Sequence, residues 1–518
     1  MSSFEAIHAE QITGSLTMFD RLIFKGHLTS LQHAGGLLAF LTSQGIRLDR
    51  FDTYVKGATS RIHDHARAVA DSAGRPFIYL PNSVTRDSGR TKEEMVKSIA
   101  ERDGVTEGLI AVLQTVELNS SFAMGKAGES RILIRRLRKA SHFYFYLFDP
   151  EFGFMHVRVQ AWVPWEIQVY VNGREWLARQ LDAAGVGYVR HDNALLAIDD
   201  LDYASDRCEW FSRRAWARVL SVFAHRFNPI LADVEGAGFG SYYWVVDQAE
   251  VATDVMFRDR PTLARITPDL VRHAALAMSG EDVVRFLGRK LHPALAAQVL
   301  TDAKRRPEGW RVKHRLGPNW IKVYDKASVL RVETTINKPS EFRILRRITD
   351  EDGRIERRWC PMRKGVADFW RFFQVGAGAN NRYLEALSTA TPNSEGVAVL
   401  DSLCQSRNRN GRHYPRFNPV TKEDLSLFRA VMAGEHAIYG FRNHDLAVRL
   451  YPSPARDDAE YQRRCARVSR LIAKLRGHGL VAKVRNQRLY RVTPHGQRVL
   501  TAAISLHDQD FPAAYLAA

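Results

Sequence analysis

IKVYDKASVLRVETTI (residues 321–336) alternates apolar and polar side chains on both sides of a short break. Period-two alternation of this kind reads as two strands of a half-buried hairpin. Any loop of even length, such as a turn at Lys326-Ala327, collects Ile321, Val323, Leu330 and Val332 on one side. Lys322, Tyr324, Arg331 and Glu333 then share the other, whereas an odd loop would mix apolar with polar. Two readings of the polar side follow. It is a solvated face with an Arg–Glu cross-strand pair and Tyr packed over Lys. Alternatively it carries chemistry: a carboxylate beside two cations keeps its charge and can hold a divalent metal, and a tyrosine with cationic neighbours has a stabilised phenolate able to attack phosphorus.

The same strand signature fills residues 131–172, where RILIRRLR, HFYFYLF, FMHVRVQAWV and EIQVYV are separated by turn residues. GREWLARQLDAAG then predicts a helix, and helical and strand patterns alternate up to residue 345. Within that span DQAEVATD reads as a helix start with Asp247, Glu250 and Asp254 at i, i+3 and i+7. With Glu333 they would make a carboxylate site for a divalent metal; the simpler reading has Asp247 capping the helix and the others pairing with arginines. The predicted fold class is α+β and multidomain. Residues 1–130 read as a mainly helical α/β region and 131–345 as an antiparallel sheet domain with helices. A helix and polar linker occupy 346–424, and 425–518 form a separate unit.

The 518 residues include 75 Lys and Arg against 57 Asp and Glu, a formal charge of +18 that favours a polyanionic partner. The four cysteines are scattered without paired spacing, which speaks against a disulfide framework and a zinc knuckle and for a reducing cytoplasm. The first residues, MSSFEAIHAEQ, carry neither a basic nor an apolar leader region, and no apolar run is long enough to span a bilayer. HDH at 63–65 has a metal-ligand spacing but falls in an amphipathic helical pattern, and His156 is the lone histidine on its strand.

In the last hundred residues YQRRCARVSRLIAKLRGHG predicts a long helix with Val468, Leu471, Ile472 and Leu475 on one stripe. LVAKVRNQRLYRVT predicts two strands folding about Asn486-Gln487, and PHGQRVLTAAI a closing helix. Arg463, Arg464, Arg467, Arg470, Lys474, Arg476, Lys483, Arg485, Arg488 and Arg491 occur between 461 and 491 with no acidic residue among them. Such a helix and basic wing suit a major groove and its flanking phosphates. Order and spacing resemble winged helix-turn-helix domains over about residues 435–505.

Y-D-K followed within ten residues by L-R-V-E resembles the closing motif of rolling-circle replication initiators of the plasmid and filamentous-phage type. The resemblance implies nicking of one DNA strand through a tyrosine, with a divalent metal, Mg or Mn, bound on an antiparallel sheet. By position it assigns Tyr324, Lys326 and Arg331 to catalysis and Glu333 and Asp325 to metal, with Asp254 and Asp247 as further ligands. The histidine pair that many such nickases use for metal is missing. Stretches including MFDRLIFKGHL and KGVADFWR are also similar to a widespread uncharacterised bacterial protein family, which implies no activity. The expected function is a cytoplasmic nucleic-acid-binding protein of a mobile element or replicon, acting as a metal-dependent nickase. The alternative is a non-catalytic binder of DNA or structured RNA. No membrane partner is expected.

Overall fold

The computed structural model describes residues 2–81, 90–128, 130–306, 309–349, 355–390, 403–409, 411–419, 421–505 and 507. Its centre is an 11-stranded sheet in the order β10-β11-β12-β13-β9-β1-β6-β5-β4-β3-β2. The middle strand, β1 (Ile12–His27), pairs with β6 (Ile167–Asn172) on one side and β9 (Tyr243–Phe257) on the other. Beyond β6 come β5 (Gly153–Gln160), β4 (Ser130–Asp149), β3 (Gly108–Ala127) and β2 (Phe77–Tyr79). Beyond β9 come β13 (Val329–Ile336), β12 (Asn319–Lys326), β11 (Gly309–Leu316) and β10 (Leu300–Arg306). Only β2 joins parallel; the other neighbours are antiparallel.

The α+β class stands, but the expected boundary at residue 130 does not. β1, β2 and β3 belong to the same sheet as the hairpin near residue 330, so the first 130 residues complete that sheet. A second correction concerns DQAEVATD. It lies in the interior of β9, and the expected helix is absent. Central position explains it: β9 is hydrogen-bonded on both edges, and its apolar residues are covered on both faces, which erases the alternation that marks a strand.

One sheet face carries the main core. Phe19 stacks on Phe369 with centroids 4.5 Å apart, and Phe24 on Trp216 at 4.7 Å. Helix Phe369–Leu387 packs there, and its Asn380 accepts from Thr334 Oγ1 at 2.7 Å and donates to the Val251 carbonyl at 3.0 Å. The helix expected within 346–424 is therefore present and anchors β9 and β13 from behind. The opposite face is polar along β1, β9, β13 and β12. One end of it is closed by the hairpin of β7 (Tyr188–His191) and β8 (Ala194–Ile198), whose Asn193 carbonyl accepts from Arg331 at 2.7 Å.

The last part of the chain holds helices Asn443–Leu450 and Asp458–Gly477, strands Val481–Lys483 and Tyr490–Val492, and helix Pro494–Ser505, in the predicted order. Phe441 forms a further antiparallel bridge to Tyr490. This unit has its own core of Phe428, Leu446, Val468, Ile472, Leu475 and Leu500. It rests on the body through Gln497 to Ser388, Thr501 Oγ1 to the Thr389 carbonyl, and an Arg285–Glu435 ion pair. No described helix is long and apolar enough to cross a membrane.

Candidate functional site

The β12–β13 hairpin turns at Ala327-Ser328, one residue later than expected, with Ala327 in the left-handed region at φ 53°. Loop length stays even, so the predicted faces survive while the pairing shifts by two. Tyr324 faces Arg331, Lys322 faces Glu333 and Val323 faces Val332. On the next strand Arg331 faces Asp254, Glu333 faces Ala252 and Thr335 faces Glu250. Period two thus places Tyr324, Lys322, Arg331, Glu333, Glu250 and Asp254 on one face.

β1 adds a group that sequence reasoning missed. Between the Phe19–Val251 and Leu22–Ala249 pairs, β1 has two residues, Asp20 and Arg21, opposite Glu250 alone. This β-bulge keeps Asp20 on the polar face, where it is 5% exposed. Carboxylate oxygens of Asp20, Glu250 and Glu333 all lie within 4.8 Å of one another. The only sequence signal for Asp20 was a lone acid inside the apolar run MFDRLIF.

Around this triad the charges are ordered. Asp254 is fully buried and accepts from Arg331 Nε at 2.6 Å and Nη2 at 2.9 Å, and from Arg174 Nη1 at 2.5 Å and Nη2 at 3.3 Å. Arg174 comes from the first turn of helix Gly173–Ala184, fixed by the Asn172 cap, and its Nε also reaches Asp20 at 3.2 Å. Burial alone would raise the carboxyl pKa values of Asp20 and Asp254, but Arg174 and Arg331 overcome it and hold both below the usual range. Glu250 makes no ion pair among the described residues. Burial and the neighbouring Glu333 push its carboxyl up to about 8, and the more distant Lys322 and Arg21 lower it only in part. Lys322 Nζ sits 2.6 Å from Glu333 Oε1, and Glu333 Oε2 accepts from the Tyr324 hydroxyl at 2.8 Å.

Several expected roles are corrected by this geometry. Tyr324 is not a stabilised phenolate: burial and Glu333 raise its pKa well above 10, and Arg331 offsets only part of that. Arg331 is no free phosphate clamp, because Asp254, the Asn193 carbonyl and Tyr324 Oη, 3.3 Å from Nη1, occupy its donors. It positions the tyrosine. Asp254 serves the two arginines rather than the triad. Asp325 points to the other face by strand parity and accepts from the Trp310 backbone N–H at 2.6 Å. Asp247 is exposed, the extra residue of a second bulge between Ile23–Gln248 and Phe24–Val246. Lys326 lies on the Tyr324 face but pairs with Asp192 at 2.5 Å. Of the expected carboxylates Glu333 and Glu250 join the triad, and Asp325, Asp254 and Asp247 do not. His156 is buried against Tyr170 and Tyr146, and His65 of the HDH motif bonds the Arg226 carbonyl.

Three converging carboxylate oxygens form a hard-oxygen donor set of the kind Mg²⁺ and Mn²⁺ take. Continuing outward from Lys322 and Tyr324, strand pairing puts Lys313 opposite Lys322, Arg311 opposite Tyr324 and Arg315 opposite Trp320 on this same face. Lys313 Nζ lies 3.8 Å from the Trp320 ring centroid. Burial, and then Lys322, Arg311 and Arg315, lower the Lys313 pKa, so like charges crowd this strip.

In the C-terminal unit Arg464 pairs with Glu460 at 2.5 Å, Arg467 approaches Glu423 at 3.9 Å and Lys474 approaches Asp424 at 3.6 Å. Arg463, Arg470, Lys483, Arg485 and Arg488 are exposed and have no acidic partner among the described residues. No protein-family model, curated protein or solved structure matches the chain.

Proposed function

We propose that this protein is a metal-dependent DNA strand-nicking and strand-transfer enzyme of a replicon or mobile element, with Tyr324 as its nucleophile. The carrying observation is the 2.8 Å hydrogen bond from the Tyr324 hydroxyl to Glu333, a member of the three-carboxylate cluster. A tyrosine that is neutral at physiological pH needs a base at attack, and Glu333 Oε2 is in position to take its proton. Tyr324 oxygen then bonds to phosphorus while one ester oxygen of the DNA backbone departs, taking a proton from water. The products are a tyrosyl phosphodiester and a free DNA hydroxyl end. Rejoining reverses the step.

Asp20, Glu250 and Glu333 would hold the divalent metal, which when bound supplies positive charge to the phosphate oxygens. Arg331, locked by Asp254, fixes the tyrosine's orientation. The strip of Lys322, Lys313, Arg311 and Arg315 with Trp320 supports a path for a single strand: cations track the backbone and an aromatic ring stacks a base. The C-terminal unit supports docking as a winged helix, through Arg463, Arg470, Lys483, Arg485 and Arg488. Those exposed cations also favour a second reading, a DNA- or structured-RNA-binding protein without chemistry.

The test incubates the full-length protein with Mn²⁺ and either supercoiled plasmid or labelled single-stranded oligonucleotides, and looks for a detergent-resistant protein–DNA adduct. Tyr324→Phe and Glu333→Ala are expected to abolish it. Wild-type cleavage by both variants rejects the mechanism, and retention of bound nucleic acid with no cleavage by the parent protein favours the second reading.

A further inference from the structure

Outside the large sheet, strands β14 (Arg343–Thr349) and β15 (Ile355–Pro361) form an isolated two-stranded ribbon. Its pairing is electrostatically unfavourable. Arg346 lies directly opposite Arg358 and Arg347 directly opposite Arg357, one pair on each face. Like charges directly opposite on neighbouring strands destabilise a hairpin, so folding alone gives no reason for the arrangement. On the outer face Arg343, Leu345, Arg347, Thr349, Ile355, Arg357, Trp359 and Pro361 are all exposed, Trp359 at 60% and Ile355 at 71%. Arg358 pairs with Glu356 and Arg346 approaches Asp368 at 3.5 Å, but Arg347 and Arg357 have no acidic partner among the described residues. Two open depressions, of about 480 and 420 Å³, are both lined by Arg346 and Arg347, with Arg357 in the first and Arg363, just past the ribbon, in the second.

We infer that this ribbon is a second nucleic-acid contact, one that enters a groove of duplex DNA. The ribbon's shape and its outer face are the reason for choosing a groove. On the other face Arg346 and Arg358 already have Asp368 and Glu356, so the cations left for phosphates are Arg347 and Arg357, side by side on the face that carries Trp359. The major groove is wide enough to admit a two-stranded ribbon. Exposed Trp359 and Leu345, opposite one another, give it an apolar surface for base edges.

The ribbon's position connects it to the proposed nicking site. Just past its end the Lys364 carbonyl accepts from Val246 N at 2.8 Å, which fixes its base to β9. Val246 is four residues from Glu250 on the same strand, roughly 13 Å along it. The ribbon is therefore tethered to the strand that carries Glu250. This inference goes beyond the nicking reading and does not need it.

The test uses the full chain carrying Arg347→Thr with Arg357→Thr, and measures binding to a labelled 24-base-pair duplex and to a single strand of the same length over a salt series. Removing two phosphate contacts is expected to weaken duplex binding about tenfold or more at about 0.1 M salt and to flatten the log–log salt slope by about two. Single-strand affinity and adduct formation by Tyr324 should persist. The melting temperature should not fall, because the substitution relieves a repulsion. The R347Q/R357Q pair reports the same charge loss should the threonine pair unfold, and R347K/R357K should keep most of the duplex affinity. Unchanged duplex affinity and slope would overturn the inference, and so would an equal loss for the single strand. Y324F should keep its duplex affinity, so failure of the nicking reading and failure of this one give different results.

Discussion

Replacing Glu250 with Gln is expected to make the metal-free protein more stable and the metal-treated protein less responsive. Three carboxylates with oxygens within 4.8 Å repel. At an effective dielectric near 20, a charged pair at that distance costs about 3.5 kcal/mol. Burial and Glu333 push the Glu250 carboxyl up to about 8 from an ordinary value near 4.5. The folded protein thus holds this proton more tightly than the unfolded chain. Stability is surrendered as pH rises through about 4.5, and the loss levels off above about 8. At pH 7 the penalty comes to about 3 kcal/mol, with burial its larger cause and Glu333 the next. Gln keeps the shape and removes the charge. In chelator, denaturant unfolding should show E250Q close to wild type at pH 5 and about 3 kcal/mol more stable at pH 7. Added Mn²⁺ should raise the melting temperature of wild type and leave E250Q nearly unmoved. If E250Q is less stable than wild type in chelator, or gains as much from Mn²⁺, the carboxylates are not a metal cluster and the site reasoning fails.

Three further outcomes are expected. Asp254→Asn strips two buried guanidiniums of their main partner and should destabilise by about 3–5 kcal/mol, read by denaturant unfolding, with adduct formation lost even below the unfolding range. Ala327→Gly removes a left-handed non-glycine residue from the hairpin turn and should stabilise by about 1 kcal/mol in the same assay without changing DNA binding. Burial alone would raise the Glu117 pKa, but bonds from Lys92 and Tyr144 hold it at about 2, so its contribution is complete above about 4.5 and lost as pH falls toward 2. Acid unfolding of Glu117→Gln should accordingly show a shallower pH dependence than wild type between those values.

Side-chain parity was legible in the hairpin because it does not depend on where the turn falls. Sliding the turn by one residue moved every pair by two and left Tyr324, Arg331 and Glu333 together. The strands between 131 and 172 were readable in part: RILIRRLR and HFYFYLF run on as the single strand Ser130–Asp149, while Gly153–Gln160 and Ile167–Asn172 stand apart as expected. Helix Gly173–Ala184 was readable too, and it ends at Gly185 in the left-handed conformation that glycine adopts without strain.

The sequence by itself determined the two-faced strands, the caps and the surplus of positive charge, because these depend on neighbours in the chain. Only the tertiary structure decided what the acids do. DQAEVATD became the interior of β9 because covering on both faces removed the alternation that would have marked it. Asp20 joined Glu250 and Glu333 through a bulge and the pairing of three strands distant in sequence, and no local pattern records such a meeting. Asp254 went to Arg174 and Arg331 because a fully buried carboxylate is stable only beside charges the fold brings to it.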